Sequence, residues 1–254
     1  MKILSGKNKY ILGISFGFHD SAVALIQNGK VLNAVEEERF TGVKHDSSFP
    51  MNSISWILKE NNITKKDIDV VCYYENPTLK KNRIVKTARK TFWKNPISNF
   101  KLLFTEEYDI SKLFRNIFHK NVQIVFSSHH ESHQAYSYFT SKFNKSAVLT
   151  VDGVGEFETT TMSMYDGNKL KSLGKVEFPH SLGMLYSTIT AFLGFKPNEG
   201  EYKVMGLAPY GEPKYVDLIK SHLINIKEDG SFHLDMSYFD YCIGLTMTNE
   251  KFHN

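Results

Sequence analysis

Cysteine is scarce in this sequence. The two present, Cys72 and Cys242, lie far apart with no paired spacing. That excludes a disulfide framework and predicts that Cys72, inside an apolar strand-like run, is a buried free thiol in a reducing compartment. Long apolar runs are lacking as well. None approaches the length of a membrane span, and Met1 to Tyr10 is polar and lysine-rich, without the apolar core of a signal peptide. The expectation is a cytoplasmic protein with no membrane partner. Charge of one sign is equally thin: the formal net charge is +4, and the short basic clusters Lys80 to Arg83 and Lys86 to Lys90 are offset by the acidic run Glu36-Glu37-Glu38. No polybasic tail announces nucleic acid. What is there is an ordinary globular composition, 41% hydrophobic over 254 residues, enough for one large domain or two packed lobes.

The opening reads as a three-stranded meander, "YILGISFG" from Tyr10, "SAVALIQ" from Ser21 and "KVLNAVEEE" from Lys30, with Asn28-Gly29 as a hairpin turn. Ile54, Ile57 and Leu58 recur at helical spacing after Pro50 and predict a helix over "MNSISWILKENN"; "DIDVVCYY" then reads as a buried strand. From Leu79 to Lys120 the pattern is mostly helical and basic or aromatic, "VQIVFSS" returns as a strand, and a histidine-rich helix runs to about Phe139. That completes a βββαβαβα order. The order then restarts: "SAVLTVDGVGE" from Ser146, "FETTTMSMYDG" and "KLKSLGKVEF" are strands with a turn at Asp166-Gly167-Asn168, and "SLGMLYSTITAFLGF" is a helix. This recurrence predicts an α/β fold of two duplicated lobes, residues 1–143 and 144–254, the second incomplete, with a cleft between them. One continuous mixed sheet is the alternative. The helix-like "KYVDLIKSHL" and a hairpin around Glu228-Asp229-Gly230 lead to "MSYFDYCIGLTM".

In "SSHHESHQAYSYF", His129 and His133 are spaced i, i+4, so on a helix both imidazoles project from one face and can share a metal ion, while His130 points elsewhere. Spacing alone leaves a polar, histidine-rich helix start as the other reading. Glu131 does not complete the zinc-protease H-E-x-x-H pattern. In "TVDGVGE", Asp152 ends an apolar strand and turns through Gly153 and Gly155, where backbone amides can approach a phosphate and a carboxylate can reach a metal; an ordinary Asp-Gly turn is the bland reading. His19 and Asp20 occupy the equivalent hairpin of the first lobe. The segment "NEGEYKVMGLAPYGEP" is too irregular for a helix and too apolar for a linker, which suggests a binding loop with Lys203 available for an anionic group. Arg39, Lys44 and His45 follow an exposed strand end and can meet a phosphate or carboxylate.

Taken together these stretches resemble the O-carbamoyltransferases of the NodU and TobZ (tobramycin carbamoyltransferase) type. The resemblance runs over roughly residues 10 to 215 and is carried by "ILGISFGFHDSAVALIQNGKVLNAVEEERFTGVKHDSSFP", "SSHHESHQAYSYF", "AVLTVDGVGE" and "FPHSLGMLYSTITAFLGFKPNEGEYKVMGLAPYG". It implies an actin/sugar-kinase-like fold related to the tRNA threonylcarbamoyl-transferase proteins. It also implies a reaction in two steps: a C-terminal YrdC-like domain makes carbamoyl-adenylate from ATP and carbamoyl phosphate, and the N-terminal region transfers the carbamoyl group to a hydroxyl of a small-molecule or natural-product acceptor beside an iron(II) ion. Carried over by position, His129, His133 and Asp152 match metal ligands, with a further ligand expected beyond this chain. His19 and Asp20 match the loop facing the transfer site, His19 as base or orienter. Lys203 with Glu199 and Glu201, and more weakly Lys44, Arg39, Gly153 and Gly155, match the substrate pocket. The YrdC-like domain does not lie within this sequence, and the expectations this leaves are a truncated piece of a longer chain, a separate C-terminal half as partner, or a decayed copy. The competing expectations are a non-catalytic binding module or truncated remnant of this fold, and a tRNA threonylcarbamoyl transferase, which shares the H-x-x-x-H pair.

Overall fold

A computed structural model of the chain describes residues 9–93, 96, 100, 109–243 and 246–254. The polar N-terminus up to Asn8, most of the 94–108 part of the expected helical stretch, and Gly244 and Leu245 lie outside those residues. The chain divides into two compact units, Met1–Asn76 with Glu107–Ser128, and Pro77–Glu106 with His129–Asn254.

In the first unit, β1 (Tyr10–Ser15), β2 (Ala22–Gln27) and β3 (Lys30–Glu36) form an antiparallel meander. Asn28 and Gly29 take positive φ values of 51° and 79°, the mirror-image turn that matches the twist of the strands it joins. β4 (Ile68–Tyr73) adds parallel to β1 and β5 (Gln123–Phe126) parallel to β4, giving the order β3-β2-β1-β4-β5. The apolar alternation of β1 and β2 puts Leu12, Ile14, Val23 and Leu25 in one core with Ile54 and Ile57 of α1 (Met51–Glu60) and Phe114 of α3 (Ile110–Ile117). Ile57 is fully buried, so Ile57→Ala removes about 2–5 kcal/mol. The start of α1 is held by Glu37, 2% exposed, whose carboxylate accepts from the backbone N–H groups of Asn52 (3.1 Å) and Ser53 (2.8 Å) and from Ser53 Oγ (2.6 Å). One charge of the acidic run Glu36-Glu37-Glu38 is therefore an internal helix cap.

The second unit contains α2 (Pro77–Lys90) and a three-stranded antiparallel sheet of β6 (Lys145–Val151), β7 (Glu158–Asp166) and β8 (Lys169–Glu177), in that order. Helix α4 (His129–Phe139) lies on this sheet, with the Tyr138 ring stacked on Tyr165 at 4.4 Å. For that reason residues 129–143, which the recurrence of element order assigns to the first lobe, pack with the second compact unit. Val148, Thr150, Thr161, Ser163 and Tyr165 face the helix; Leu149, Val151 and Met162, on the other side, are 63%, 50% and 42% exposed. A further core joins Leu185 of α5 (Leu182–Phe192) to Ile224 of β9 (Ile224–Ile226), to Phe232 and Leu234 of β10 (Phe232–Leu234), and to Phe239. The segment expected to be too irregular for a helix is helical over α6 (Glu201–Leu207). The Glu201 carboxylate folds back to accept from the N–H groups of Asn198 (3.0 Å) and Gly200 (3.3 Å) and from Ser187 Oγ (2.6 Å), closing the turn before it. Among the described residues no helix is long and apolar enough to cross a membrane, and Cys72 and Cys242 are both free thiols.

Candidate metal centre

Strand β6 ends at Val151 and delivers Asp152 to the side of α4 where His129 and His133 sit one turn apart. His129 Nε2 lies 2.6 Å from Asp152 Oδ2, His133 Nε2 lies 3.4 Å from the same oxygen, and the two Nε2 atoms are 3.1 Å apart. These three donor atoms all fall within 4.8 Å of one another. Two imidazoles and one carboxylate suit a divalent transition ion. The separations bracket the roughly 3 Å expected between neighbouring ligands at metal bonds of about 2.0–2.2 Å. Exposure rises from His129 (18%) through Asp152 (34%) to His133 (53%), so one side of the cluster is open to solution. Burial alone would raise the Asp152 pKa; the hydrogen bonds with His129 and His133 and the N–H of Gly153 outweigh it and hold the carboxyl well below the usual carboxylate range.

Four residues without a metal-binding atom in the cluster fix its shape. Glu156, 1% exposed, accepts the His129 N–H with both oxygens (3.1 and 3.0 Å), which anchors the first residue of α4. Ser181, fully buried, lies 2.9 Å from the Asp152 carbonyl and 2.7 Å from that of Gly153 through its hydroxyl, and also accepts the Met184 N–H at the start of α5. Gly183 lets that helix end touch the loop: a Cβ there would stand 2.5 Å from Gly153 N and 2.6 Å from the Asp152 carbonyl. Gly155 does the same for α4, since its Cβ would stand 2.9 Å from that of His129. The Gly153 and Gly155 amides are themselves engaged, to Asp152 Oδ1 and to the Glu158 carbonyl, so neither is an open donor in this arrangement; Gly155 contributes close approach, whereas a Cβ on Gly153 would meet only Met184 Sδ at 3.8 Å. Sequence reasoning missed Glu156, Ser181 and Gly183.

His130 has a different occupation. It is 2% exposed, with Nε2 2.9 Å from the Glu158 carbonyl and Nδ1 2.7 Å from Thr150 Oγ1. A carbonyl can only accept, so Nε2 carries the proton and Nδ1 accepts from Thr150; Thr150 in turn accepts from Thr161 (2.6 Å), and Thr161 from Gln134 Nε2. Burial lowers the His130 pKa, which keeps the ring neutral as this order requires. His130 is a core histidine beneath the cluster.

Within the first unit, His19 and Asp20 cluster with His45. Asp20 holds His19 through Nδ1–Oδ2 (2.9 Å) and His45 through Nδ1–Oδ1 (2.8 Å). Burial would raise the Asp20 pKa, but its bonds with His45 and His19 bring it below the ordinary value. Asp20 and His45 both have positive φ, 52° and 56°, a conformation in which non-glycine residues concentrate at sites that over-determine them. Arg39 lies 3.1 Å from Glu36 and 3.5 Å from Glu38 through the same guanidinium nitrogen, and Lys44 is exposed. In the second unit Glu199 pairs with Lys196, Glu201 closes α6, and the Lys203 ammonium stands 5.9 Å from the Tyr202 ring centre on the exposed side of α6.

Comparison with known proteins bears on what this geometry serves. The chain is 44% identical over 255 residues to an uncharacterized protein of Synechocystis sp., covering 96% of this chain and 41% of that one. It is 34% identical over 203 residues to the nodulation protein NolNO of Sinorhizobium fredii, covering 77% and 28%. Thus it spans less than half the length of these relatives. Among solved structures it is similar to a YeaZ-like protein of Pseudomonas aeruginosa, at 10% identity and a TM-score of 0.37 over 67% of each chain. The family model described as the carbamoyltransferase N-terminus matches residues 10–254, the two histidines and Asp152 included. On that match the chain belongs to the carbamoyltransferase N-terminus family.

Proposed function

We propose that this chain is the acceptor-modifying part of an O-carbamoyltransferase, moving a carbamoyl group from carbamoyl-adenylate to a hydroxyl of a small-molecule or natural-product acceptor, with the mixed-anhydride bond broken and AMP leaving. The observation that carries the reading is the convergence of His129, His133 and Asp152, in a chain of the carbamoyltransferase N-terminus family. These three residues would hold a divalent ion, iron(II) by resemblance, with further positions left to substrate or to ligands from another segment. When bound, the ion supplies positive charge for phosphate oxygens and for the polarised carbamoyl carbonyl.

The chain's own residues do the rest. Glu156 and Ser181 keep His129 and the Asp152 loop in place. His19, oriented through Nδ1 by Asp20, presents Nε2 to take the proton of the attacking hydroxyl, and Asp20 stabilises the imidazolium that results. Lys203, Lys44 and Arg39 are assigned to anionic groups of the donor. Under this reading the fold is the first lobe and part of the second lobe of an actin/sugar-kinase-like architecture, and a YrdC-like domain, using ATP and carbamoyl phosphate, supplies the adenylate.

Cobalt(II) titration followed by visible absorption tests the centre. Wild type is expected to bind one equivalent, and His129→Ala, His133→Ala and Asp152→Ala to lose at least about tenfold in affinity each. Equal cobalt binding in all four proteins removes the assignment. Adding a YrdC-like protein, ATP, carbamoyl phosphate and candidate hydroxyl acceptors tests the chemistry; His19→Asn should abolish transfer while leaving cobalt binding intact.

A further inference from the structure

Helix α2 carries six cations and no carboxylate in its 14 residues, and carbamoyl transfer as proposed above uses none of them. A cavity of about 260 Å³ lies against this helix. Arg83, Lys86 and Lys90, spaced i, i+3 and i+7, line one side, and Phe157, Phe178 and Phe239 line the other. The Arg83 guanidinium stands 5.5 Å from the Phe178 ring centre and the Lys86 ammonium 5.5 Å from that of Phe157, so the cations border the aromatic faces directly. Neither Lys86 nor Lys90 has an ion-pair partner among the described residues. Glu177, the carboxylate in the described lining, is bonded to Lys175 at 2.7 Å. Cys242 also lines the cavity; burial pushes its thiol up to about 12, against the pull of Arg83, so at neutral pH it is apolar lining and not a nucleophile.

We propose that this cavity binds a small organic phosphate: a flat apolar group against Phe157, Phe178 and Phe239, and a phosphate monoester at Lys86 and Lys90. An inorganic anion would leave the aromatic wall wet, and a neutral apolar ligand would make no use of the two exposed lysines at the edge of the cavity. The size admits a single ring with its phosphate.

Calorimetric titration of the full chain with phenyl phosphate, inorganic phosphate and phenol tests this. Phenyl phosphate is expected to bind saturably and at least about tenfold more tightly than either fragment. Lys86→Glu and Lys90→Glu should each weaken it by roughly tenfold or more, whereas Arg89→Glu, the same charge change on α2 outside the lining, should change it by less than about twofold. Amide shifts at Phe157, Phe178 and Phe239 in unmutated protein give a readout that no folding defect can mimic. Absence of saturable binding, equal affinity for inorganic phosphate, or an Arg89→Glu loss as large as the others overturns the proposal. So does preferential binding of a thymidine oligonucleotide, which would mark α2 as a polymer-binding face.

Discussion

At the scale of single residues, the three candidate ligands are positioned by atoms outside their own donor set. Gly183 illustrates this: a methyl group there collides with backbone, which cannot rotate away as a side chain can. Gly183→Ala should therefore displace the Asp152 loop and lower cobalt affinity by about 10–100-fold, a loss that titration measures beside the unchanged helix content of the protein. Glu156→Gln keeps the shape of the side chain but turns one acceptor of the His129 N–H into a donor. It should lower stability to denaturant by about 1–3 kcal/mol and weaken cobalt binding too. A full cobalt affinity in either variant would show that the anchoring is irrelevant to the centre. The histidine pair was legible because its spacing is local and helical. Glu156 and Ser181 were not, because their partners lie 27 and 29 residues away in sequence, and a glycine that matters for what it lacks leaves no chemical sign.

At the scale of elements, the meander, its Asn28-Gly29 turn and α1 followed from period-two and period-3.6 patterns that burial reproduces. The sheet of the second unit reverses the usual arrangement. Its helix-covered face is rich in threonine and serine because these side chains bond one another and His130, while the apolar residues Leu149, Val151 and Met162 face outward. Alternation was therefore readable in "FETTTMSMYDG", but its polarity was not. Leu149 and Met162 are directly paired across β6 and β7 and form an exposed apolar strip. Leu149→Lys with Met162→Thr should change stability to denaturant by no more than about 1 kcal/mol, and a loss of several kcal/mol would show that the strip is packed and not exposed. α6 shows the opposite limit: glycine and proline in "NEGEYKVMGLAPYGEP" argued against a helix, and a carboxylate folding back on its own N-terminal turn outweighed them.

At the scale of the whole molecule, shifted groups of several kinds bracket a stability plateau. His130 and His180 are held below the ordinary 6.5 by burial, so below about pH 6.5 the unfolded chain takes up protons the native chain refuses. Asp20, Glu158 and Glu201 sit below their ordinary 3.8 and 4.5, where burial is outweighed by bonds with His45, with the Glu158 amide and Lys175, and with Ser187. Their contribution is complete above those values and is lost as pH falls through the lower native ones. In the alkaline range burial raises Tyr73, Tyr241 and the Cys242 thiol, so above about pH 9 the unfolded chain loses protons first. Melting temperature against pH should be flat between about 6.5 and 9 and fall on both sides; a maximum near pH 5 would contradict the assignment.

The division into units has a consequence in time. The chain passes from one unit to the other after residues 76, 106 and 128, so α2 is synthesised well before the rest of the unit it packs with. Phe157 follows Lys86 by about seventy residues, roughly 4–14 s of synthesis at about 5–20 residues per second. During that interval α2 has no wall to lie against. Six like charges and no carboxylate make α2 a hydrophilic segment over that interval, and Phe157 and Phe178, beside which Lys86 and Arg83 come to lie, are added only afterwards.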